Sequence, residues 1–148
     1  MIERFFYIRQ LSRAVRRSPI TSLIGPRQCG KTTLARMFAE GRKTIFFDLE
    51  SQIDLNRLQN PELMLGSLQN LVIIDEVQHM PELFRVLRVL VDRPEKKTQF
   101  LILGSASPDL VKNASESLAG RVEFIELSGF GLRENGTARS DVIWLRGG

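Results

Sequence analysis

The sequence is poor in the residues that build disulfide frameworks and histidine-rich metal sites. It contains one cysteine, Cys29, and one histidine, His79, so an internal disulfide and a site with several histidine ligands are both excluded. No apolar run approaches the roughly 18 residues that cross a bilayer, and the chain has neither an internal repeat nor a low-complexity segment. The remaining composition, 43% hydrophobic and 26% charged over 148 residues, is typical of one globular domain with a single core.

The charge of the chain is mildly basic, with 21 basic and 17 acidic residues and a net charge of +4. Arginines at positions 13, 16 and 17 form the clearest basic cluster, which is consistent with a solvated surface or with contact to nucleic acid. The basic N-terminus lacks the apolar segment of a signal peptide, so a cytoplasmic location is expected. Self-association is a further possibility that the sequence leaves open.

Strand-like and helix-like patterns alternate along the chain. Residues 3–17 carry apolar side chains at helical spacing with arginines between them, which predicts an amphipathic helix. Strands are predicted at 20–24, 44–49, 71–74, 99–103 and 121–127, and helices at 31–40, 51–69 with a break at 60–61, and 81–91. One or two short helices are predicted over 108–119. This alternation predicts an α/β fold with a parallel sheet covered on both faces.

The last part of the chain differs from the rest. Residues 1–128 follow the alternating pattern and are predicted to form one domain with its N-terminal amphipathic helix. Residues 129–148 are rich in glycine and end in "DVIWLRGG" without a closing element. We therefore expect this glycine-rich tail to be the start of a C-terminal region that is missing here.

The stretch "GPRQCGKT", Gly25–Thr32, has the residues needed to bind a triphosphate. Two glycines at this spacing let a loop wrap around phosphates with its backbone N–H groups pointing inward, as in the P-loop or Walker A pattern. Lys31 can reach the β- and γ-phosphates, Thr32 can offer its hydroxyl to Mg²⁺, and the following helix directs its positive end at the phosphates. The residues predicted to bind the nucleotide are Gly25, Pro26, Arg27, Gln28, Cys29, Gly30, Lys31, Thr32 and Thr33.

This match is specific, because a chance occurrence is expected in only about 0.5% of chains of this length. The thiol of Cys29, at the start of a helix and beside Lys31, is expected to have a lowered pKa if it is exposed.

A second part of the site is predicted at "LVIIDE", a buried strand that ends in two acids. Asp75 would bind Mg²⁺ together with Thr32, and Glu76 would orient and polarise the attacking water. An acid at this position favours hydrolysis over transfer of phosphate to another substrate. A zinc protease is excluded, because "DEVQH" lacks the first histidine of the H-E-x-x-H pattern.

A third part is predicted at "LILGSAS", where Ser105 follows the next strand. A small polar residue at this place can sense the γ-phosphate or the water. A serine that only caps the loop explains the same pattern.

The quoted motifs, with "FDLE", "PELF" and "SLAGRVEFIEL", resemble the ATPase domain of a prokaryotic AAA-like family that usually carries a second, C-terminal domain of unknown function. The resemblance implies a P-loop NTPase three-layer sandwich with an additional strand, and ATP with Mg²⁺ as ligands. It also implies roles for Lys31, Glu76 and Ser105 in catalysis, and for Arg121 as a trans-acting or sensing arginine. Cys29 departs from the family, which often has a small aliphatic residue there.

Three functions follow as hypotheses. The first is an Mg²⁺-dependent domain that binds and hydrolyses ATP. The second is a nucleotide-dependent switch or interaction module with little intrinsic hydrolysis, as expected if Arg121 must act from a neighbouring subunit. The third is a motor domain stimulated by nucleic acid, although helicases of that kind need two such lobes.

Overall fold

The computed structural model describes residues 2–26, 29–95 and 98–127. Its six helices within these ranges are α1 (Ile2–Arg17), α2 (Lys31–Ala39), α3 (Gln52–Arg57), α4 (Pro61–Gly66), α5 (Leu83–Val91) and α6 (Pro108–Ser117). Its five strands are β1 (Ile20–Ile24), β2 (Thr44–Asp48), β3 (Leu71–Asp75), β4 (Gln99–Gly104) and β5 (Val122–Glu126). A single 3-10 turn, Val77–His79, follows β3.

The five strands form one sheet in the order β2-β3-β4-β1-β5, and each pair is parallel. Strand β4 therefore lies between β1, which precedes the glycine-rich loop, and β3, which ends in Asp75. The prediction of an α/β P-loop fold with a parallel sheet and an additional strand is confirmed by this order.

Two hydrophobic clusters cover the two faces of the sheet and make the predicted three layers. Helices α1 and α2 pack on one face against the side chains of Leu23, Ile73 and Leu101. On the other face, Val72, Ile74 and their neighbours pack against residues of α4, α5 and α6. Strands β1, β3 and β4 are buried on both faces, which explains why β3 and β4 have mostly apolar sequences without alternation.

The predicted helix boundaries hold where the sequence carries capping residues. Asn60 accepts a hydrogen bond from the backbone of Leu63, and the proline that follows Asn60 starts α4, so the expected break in 51–69 is real. Ser107 caps α6 in the same way, and α6 is one helix. Helix α5 begins at Leu83, two residues after the prediction, because Pro81 lies in the turn before it.

The basic cluster lies along the exposed side of α1, and one of its members is bound within the domain. Arg17 forms an ion pair with Glu123 of β5, with Nε 3.2 Å from Oε1. Arg13 and Arg16 are exposed. Among the described residues, no helix is both long enough and apolar enough to span a bilayer. The predicted tail, 129–148, lies outside the described residues.

We predict that Leu101→Ala destabilises the domain by about 2–5 kcal/mol, because Leu101 is fully buried in the middle of the sheet and its loss leaves a cavity. Leu63→Ala is the matched control, since that side chain is 71% exposed and its truncation should change the free energy of unfolding by less than about 0.5 kcal/mol. Urea denaturation of both variants measures the difference. Equal midpoints would contradict this assignment of the core.

Candidate nucleotide-binding site

Gly30, Lys31, Thr32 and Asp75 of the predicted site gather at the carboxyl edge of the sheet, because all five strands run in the same direction. Gly25 follows β1, Asp75 ends β3 and Gly104 ends β4. The backbone N–H of Gly25 donates to the carbonyl of Gly104 over 3.3 Å, so the start of the glycine-rich loop is attached to the neighbouring strand. A cleft of about 300 Å³ opens here, lined by Gly30, Lys31, Thr32, Thr33 and Glu76.

Both glycines of the loop have a structural reason to be glycine. Gly30 has a φ of 95° and directly precedes α2, in a left-handed conformation that favours glycine. A Cβ on Gly25 would lie 2.5 Å from the carbonyl oxygen of Leu127, a backbone atom that has little freedom to move. The loop is therefore packed against the segment that leaves β5.

Lys31 is buried at the base of this loop, with 8% of its surface exposed. Its Nζ donates to the carbonyl oxygens of Gly25 and Pro26, at 2.9 Å and 2.8 Å. A buried ammonium requires such partners, because an unpaired charge in the interior is costly. The loop thus supplies hydrogen-bond acceptors for its own lysine. A phosphate that binds Lys31 must replace at least one of these two hydrogen bonds.

Thr32 and Asp75 meet across the cleft. Thr32 Oγ1 donates to Asp75 Oδ2 over 2.7 Å, which joins the first turn of α2 to the end of β3. Asp75 is 5% exposed, and its second oxygen, Oδ1, is buried without a hydrogen-bond partner among the residues that the structure describes. A hydroxyl and a carboxylate with one unused oxygen are hard oxygen ligands of the kind Mg²⁺ prefers, so these two residues fit that ion.

The environment of Asp75 raises the pKa of its carboxyl group. Burial is the main cause, and the negative charges of Glu76 and Asp48 add to it. The hydrogen bond from Thr32 opposes the rise, because it stabilises the carboxylate. Asp48 ends β2 directly beside Asp75 in the sheet register, so acids from two adjacent strands crowd one edge.

Glu76 lies next to Asp75 in an unusual backbone conformation. Its φ of 58° and ψ of 46° are left-handed, which costs a residue with a side chain on the order of 1–3 kcal/mol. The turn that follows keeps it there, since the N–H of His79 donates to the carbonyl of Glu76 over 3.1 Å. Its carboxylate accepts a hydrogen bond from Nε2 of Gln78 at 2.6 Å.

Glu76 also lies close to two exposed residues, Glu50 and His79, that can bind metal ions. Glu50, Glu76 and His79 each offer one ligand atom, and these atoms lie within 4.8 Å of one another. His79 Nε2 is 3.8 Å from Glu50 Oε2, and both side chains are about half exposed. This geometry allows a weak surface contact to a cation but lacks the burial of the Thr32–Asp75 pair.

The exposure on which a lowered thiol pKa at Cys29 depended is not found, because the residue is half-buried. Burial raises the pKa of the Cys29 thiol, and the positive charge of Lys31, whose Nζ is 4.0 Å from Sγ, only partly offsets that rise. The thiol lies under the loop beside Leu127, with Sγ 4.0 Å from the Leu127 carbonyl oxygen. A lowered thiol pKa would require an exposed thiol, and packing near Leu127 reduces the exposure of Cys29.

The structure does not bring every predicted residue to the cleft. Ser105 follows β4 at the carboxyl edge and is half-buried there. Arg121 precedes β5 at the opposite edge, where its carbonyl accepts from Ile20 over 3.1 Å and its guanidinium binds both carboxylate oxygens of Asp92 at 2.8 Å. The length of β1, about 13 Å, separates the two edges, so Arg121 does not reach the cleft of its own chain.

Two predicted loop residues, Arg27 and Gln28, lie outside the described residues. The sequence reasoning also overlooked Gln78 and Asp48, which contact or face the acidic pair. A signal for Asp48 was present, because an acid that ends a strand beside β3 must share its edge. Gln78 belongs to the "DEVQH" stretch that contributes to the family resemblance, but the sequence analysis assigned it no role.

Comparison with known proteins gives the same picture of the fold. A family described as "AAA domain" matches residues 17–135. The uncharacterized proteins Rv2008c of Mycobacterium tuberculosis and Mb2031c of Mycobacterium bovis are each 54% identical over all 148 residues, but the chain spans only 34% of their length.

Two solved structures share the fold at low identity. The Walker-type ATPase PABY2304 of Pyrococcus abyssi superposes with a TM-score of 0.62 at 17% identity, covering 83% of this chain and 52% of that one. A DNA replication initiation factor superposes with a TM-score of 0.52 at 19% identity, covering 96% of this chain and 49% of that one. At these identities the likeness concerns the fold alone.

We predict that Asp75→Asn raises the melting temperature by a few degrees when nucleotide and divalent cations are absent. Because the folded-state pKa of Asp75 lies above the unfolded value, the protonated group favours folding, and that contribution is lost as the pH rises through the folded pKa. The advantage of the variant should therefore be small near pH 4 and grow toward pH 7.

Thermal melts across this pH range measure the effect. Asp92→Asn is the matched control, because Arg121 lowers the pKa of that exposed carboxyl group and its neutralisation should give no such gain. An advantage of Asp75→Asn that does not depend on pH would contradict the assignment.

Proposed function

The chain belongs to the AAA domain family, and from the geometry of its cleft we propose that it is an Mg²⁺-dependent domain that binds and hydrolyses ATP. The observation that carries the proposal is the 2.7 Å hydrogen bond from Thr32 to Asp75, which joins the glycine-rich loop to the acidic strand end. Two motifs that are 43 positions apart in sequence thereby share one cleft. That pairing is what a triphosphate with its metal ion requires.

The glycine-rich loop and Lys31 bind the phosphates in this proposal. The ammonium of Lys31 exchanges its contacts with the carbonyls of Gly25 and Pro26 for β- and γ-phosphate oxygens. The N-terminus of α2, which begins at Lys31, adds backbone N–H groups and the positive end of its dipole. Two observations favour ATP over GTP as the nucleotide. The family resemblance implies ATP, and the sequence contains no guanine-reading motif such as N-K-x-D.

Thr32 and Asp75 would hold the Mg²⁺, and the unpartnered Oδ1 of Asp75 supports that role. When bound, the ion would neutralise charge on the β- and γ-phosphates. Asp75 must be ionised to take part, so its raised pKa makes metal binding weaker in acid than at neutral pH.

Glu76 would orient and polarise the water that attacks the γ-phosphorus. It lines the cleft together with the residues that would bind phosphate, and one of its carboxylate oxygens is held by Gln78. An acid in this place accepts a hydrogen bond from water, which favours hydrolysis over transfer to another acceptor. Ser105, at the end of β4, would contact the γ-phosphate or the water.

A second candidate is a nucleotide-dependent switch that hydrolyses slowly on its own. It is favoured by the position of Arg121, which is bound to Asp92 at the far edge of the sheet and could reach a cleft only in a neighbouring subunit. Arginines supplied in trans raise phosphoryl-transfer rates by roughly 10³–10⁵. Turnover per subunit that rises with protein concentration would distinguish this candidate from a domain that is active as a monomer.

We predict that Lys31→Ala weakens binding of Mg-ATP by roughly 10- to 150-fold, the equivalent of about 1.5–3 kcal/mol for a charge-assisted contact. Lys43→Ala is the matched control, because Lys43 is exposed at the start of β2 on the opposite edge. Titration with a fluorescent ATP analogue measures both variants, and thermal melts establish that each is folded. Equal affinity of wild type and Lys31→Ala for Mg-ATP would contradict the proposed site.

We predict that Glu76→Gln lowers the hydrolysis rate by about 10²–10⁴ and leaves the affinity for Mg-ATP nearly unchanged, because it removes the base but keeps the size of the side chain. Phosphate release is measured with and without Mg²⁺ across protein concentrations. Glu82→Gln, an exposed acid before α5, serves as the control. Unchanged turnover in Glu76→Gln would mean that another group orients the water.

A further inference from the structure

Gln78 occupies a distinctive place beside the acidic pair. It lies in the 3-10 turn Val77–His79, two residues after Glu76, and its Nε2 donates to Glu76 Oε1 over 2.6 Å. Because the backbone of Glu76 is left-handed, its side chain does not point in a direction that a regular strand or helix would give it. Among the residues that the structure describes, the amide of Gln78 is the side chain that donates a hydrogen bond to the Glu76 carboxylate, and this contact restricts where the carboxylate points.

The backbone of β4 leaves room for the Gln78 amide. A Cβ added to Gly104 would lie 3.1 Å from Gln78 Oε1 and 3.1 Å from Val77 Cγ1. Gly104 is buried at the end of β4, directly before Ser105. The half-buried side chain of Gln78 therefore lies between Glu76 and the strand end, which limits the rotamers that it can adopt.

The chemistry of the amide explains why glutamine suits this place. Its nitrogen donates to the carboxylate, whereas a glutamate at 78 would repel it. One oxygen of Glu76 is engaged by Gln78, and the other stays available to accept a hydrogen bond from water. Gln78 Oε1 is buried without a partner among the described residues, so the amide is held by the contact with Glu76 and by packing.

We propose that Gln78 is a positioning residue for hydrolysis: it holds the Glu76 carboxylate in the cleft in the orientation that activates water. This inference rests on the proposed function, because it gives Glu76 the role assigned above. Gln78 does not line the cleft formed by Gly30, Lys31, Thr32, Thr33 and Glu76, so it acts through Glu76 and not on the nucleotide.

The test compares wild type with Gln78→Met, which keeps the length of the side chain and its packing but removes the donor. We expect kcat to fall by about 10- to 100-fold, as for a misplaced catalytic group, while the KM for ATP stays within about twofold. The same substitution in a Glu76→Gln background should cause no further loss of kcat, because there is no base left to position.

Wild-type or faster turnover in Gln78→Met would overturn the inference, and so would an equal loss of kcat in both backgrounds, which would indicate a general structural effect. Thermal melts of each variant identify misfolding. A Gln78→Glu variant gives a second test that does not depend on packing, since its charge should lower kcat at least as much as methionine does.

A readout without turnover separates this inference from the proposed function. If wild type fails to hydrolyse ATP at any protein concentration, the proposed function fails. The side-chain amide resonance of Gln78 then tests whether the hydrogen bond between Gln78 and Glu76 forms in solution. Glu76→Gln should shift that resonance in a ¹⁵N–¹H spectrum, and Glu50→Gln, which changes a neighbouring acid, should not. An unshifted resonance in Glu76→Gln would overturn the inference.

Discussion

The candidate site depends on the parallel direction of its strands. Because β1, β3 and β4 run in the same direction, their carboxyl ends meet at one edge, and residues from distant parts of the sequence become neighbours. The additional strand β4 separates β1 from β3 and so sets the width of the cleft. Thr32, at the start of α2, spans that width to reach Asp75.

This edge is arranged for ligand binding at a cost to stability. Lys31 and Asp75 are both buried, Asp75 Oδ1 has no hydrogen-bond partner in the described part of the chain, and Glu76 is in a left-handed conformation. Each of these features is unfavourable in the isolated domain and would be relieved or used by a metal-bound triphosphate. The two apolar clusters on the faces of the sheet offset that cost, because they surround strands that are fully buried.

The functional groups are also held by the chain itself. Lys31 is held by the carbonyls of its own loop, Glu76 by Gln78, and the loop packs against Leu127. A nucleotide that binds in this cleft must replace contacts of Lys31 with the carbonyls of Gly25 and Pro26.

The sequence by itself determined the strands, the helices and the main chemistry of the site. Apolar runs, capping residues and the glycine spacing of Gly25 and Gly30 are local signals, because they reflect backbone conformation and periodicity within a few residues. These signals predicted the fold class and, with the family resemblance, the roles proposed for Lys31, Thr32, Asp75 and Glu76.

Tertiary structure alone decided three other features. The burial that raises the pKa of the Cys29 thiol comes from packing near Leu127, 98 positions away. Arg121 lies at the far edge because β5 pairs with β1 in parallel register, and a motif cannot show which edge its strand starts from. The contact between Gln78 and Glu76 needs a left-handed conformation at Glu76 and a strand end without a side chain at Gly104. Contacts of this kind depend on how separate elements pack, so no local pattern in the sequence contains them.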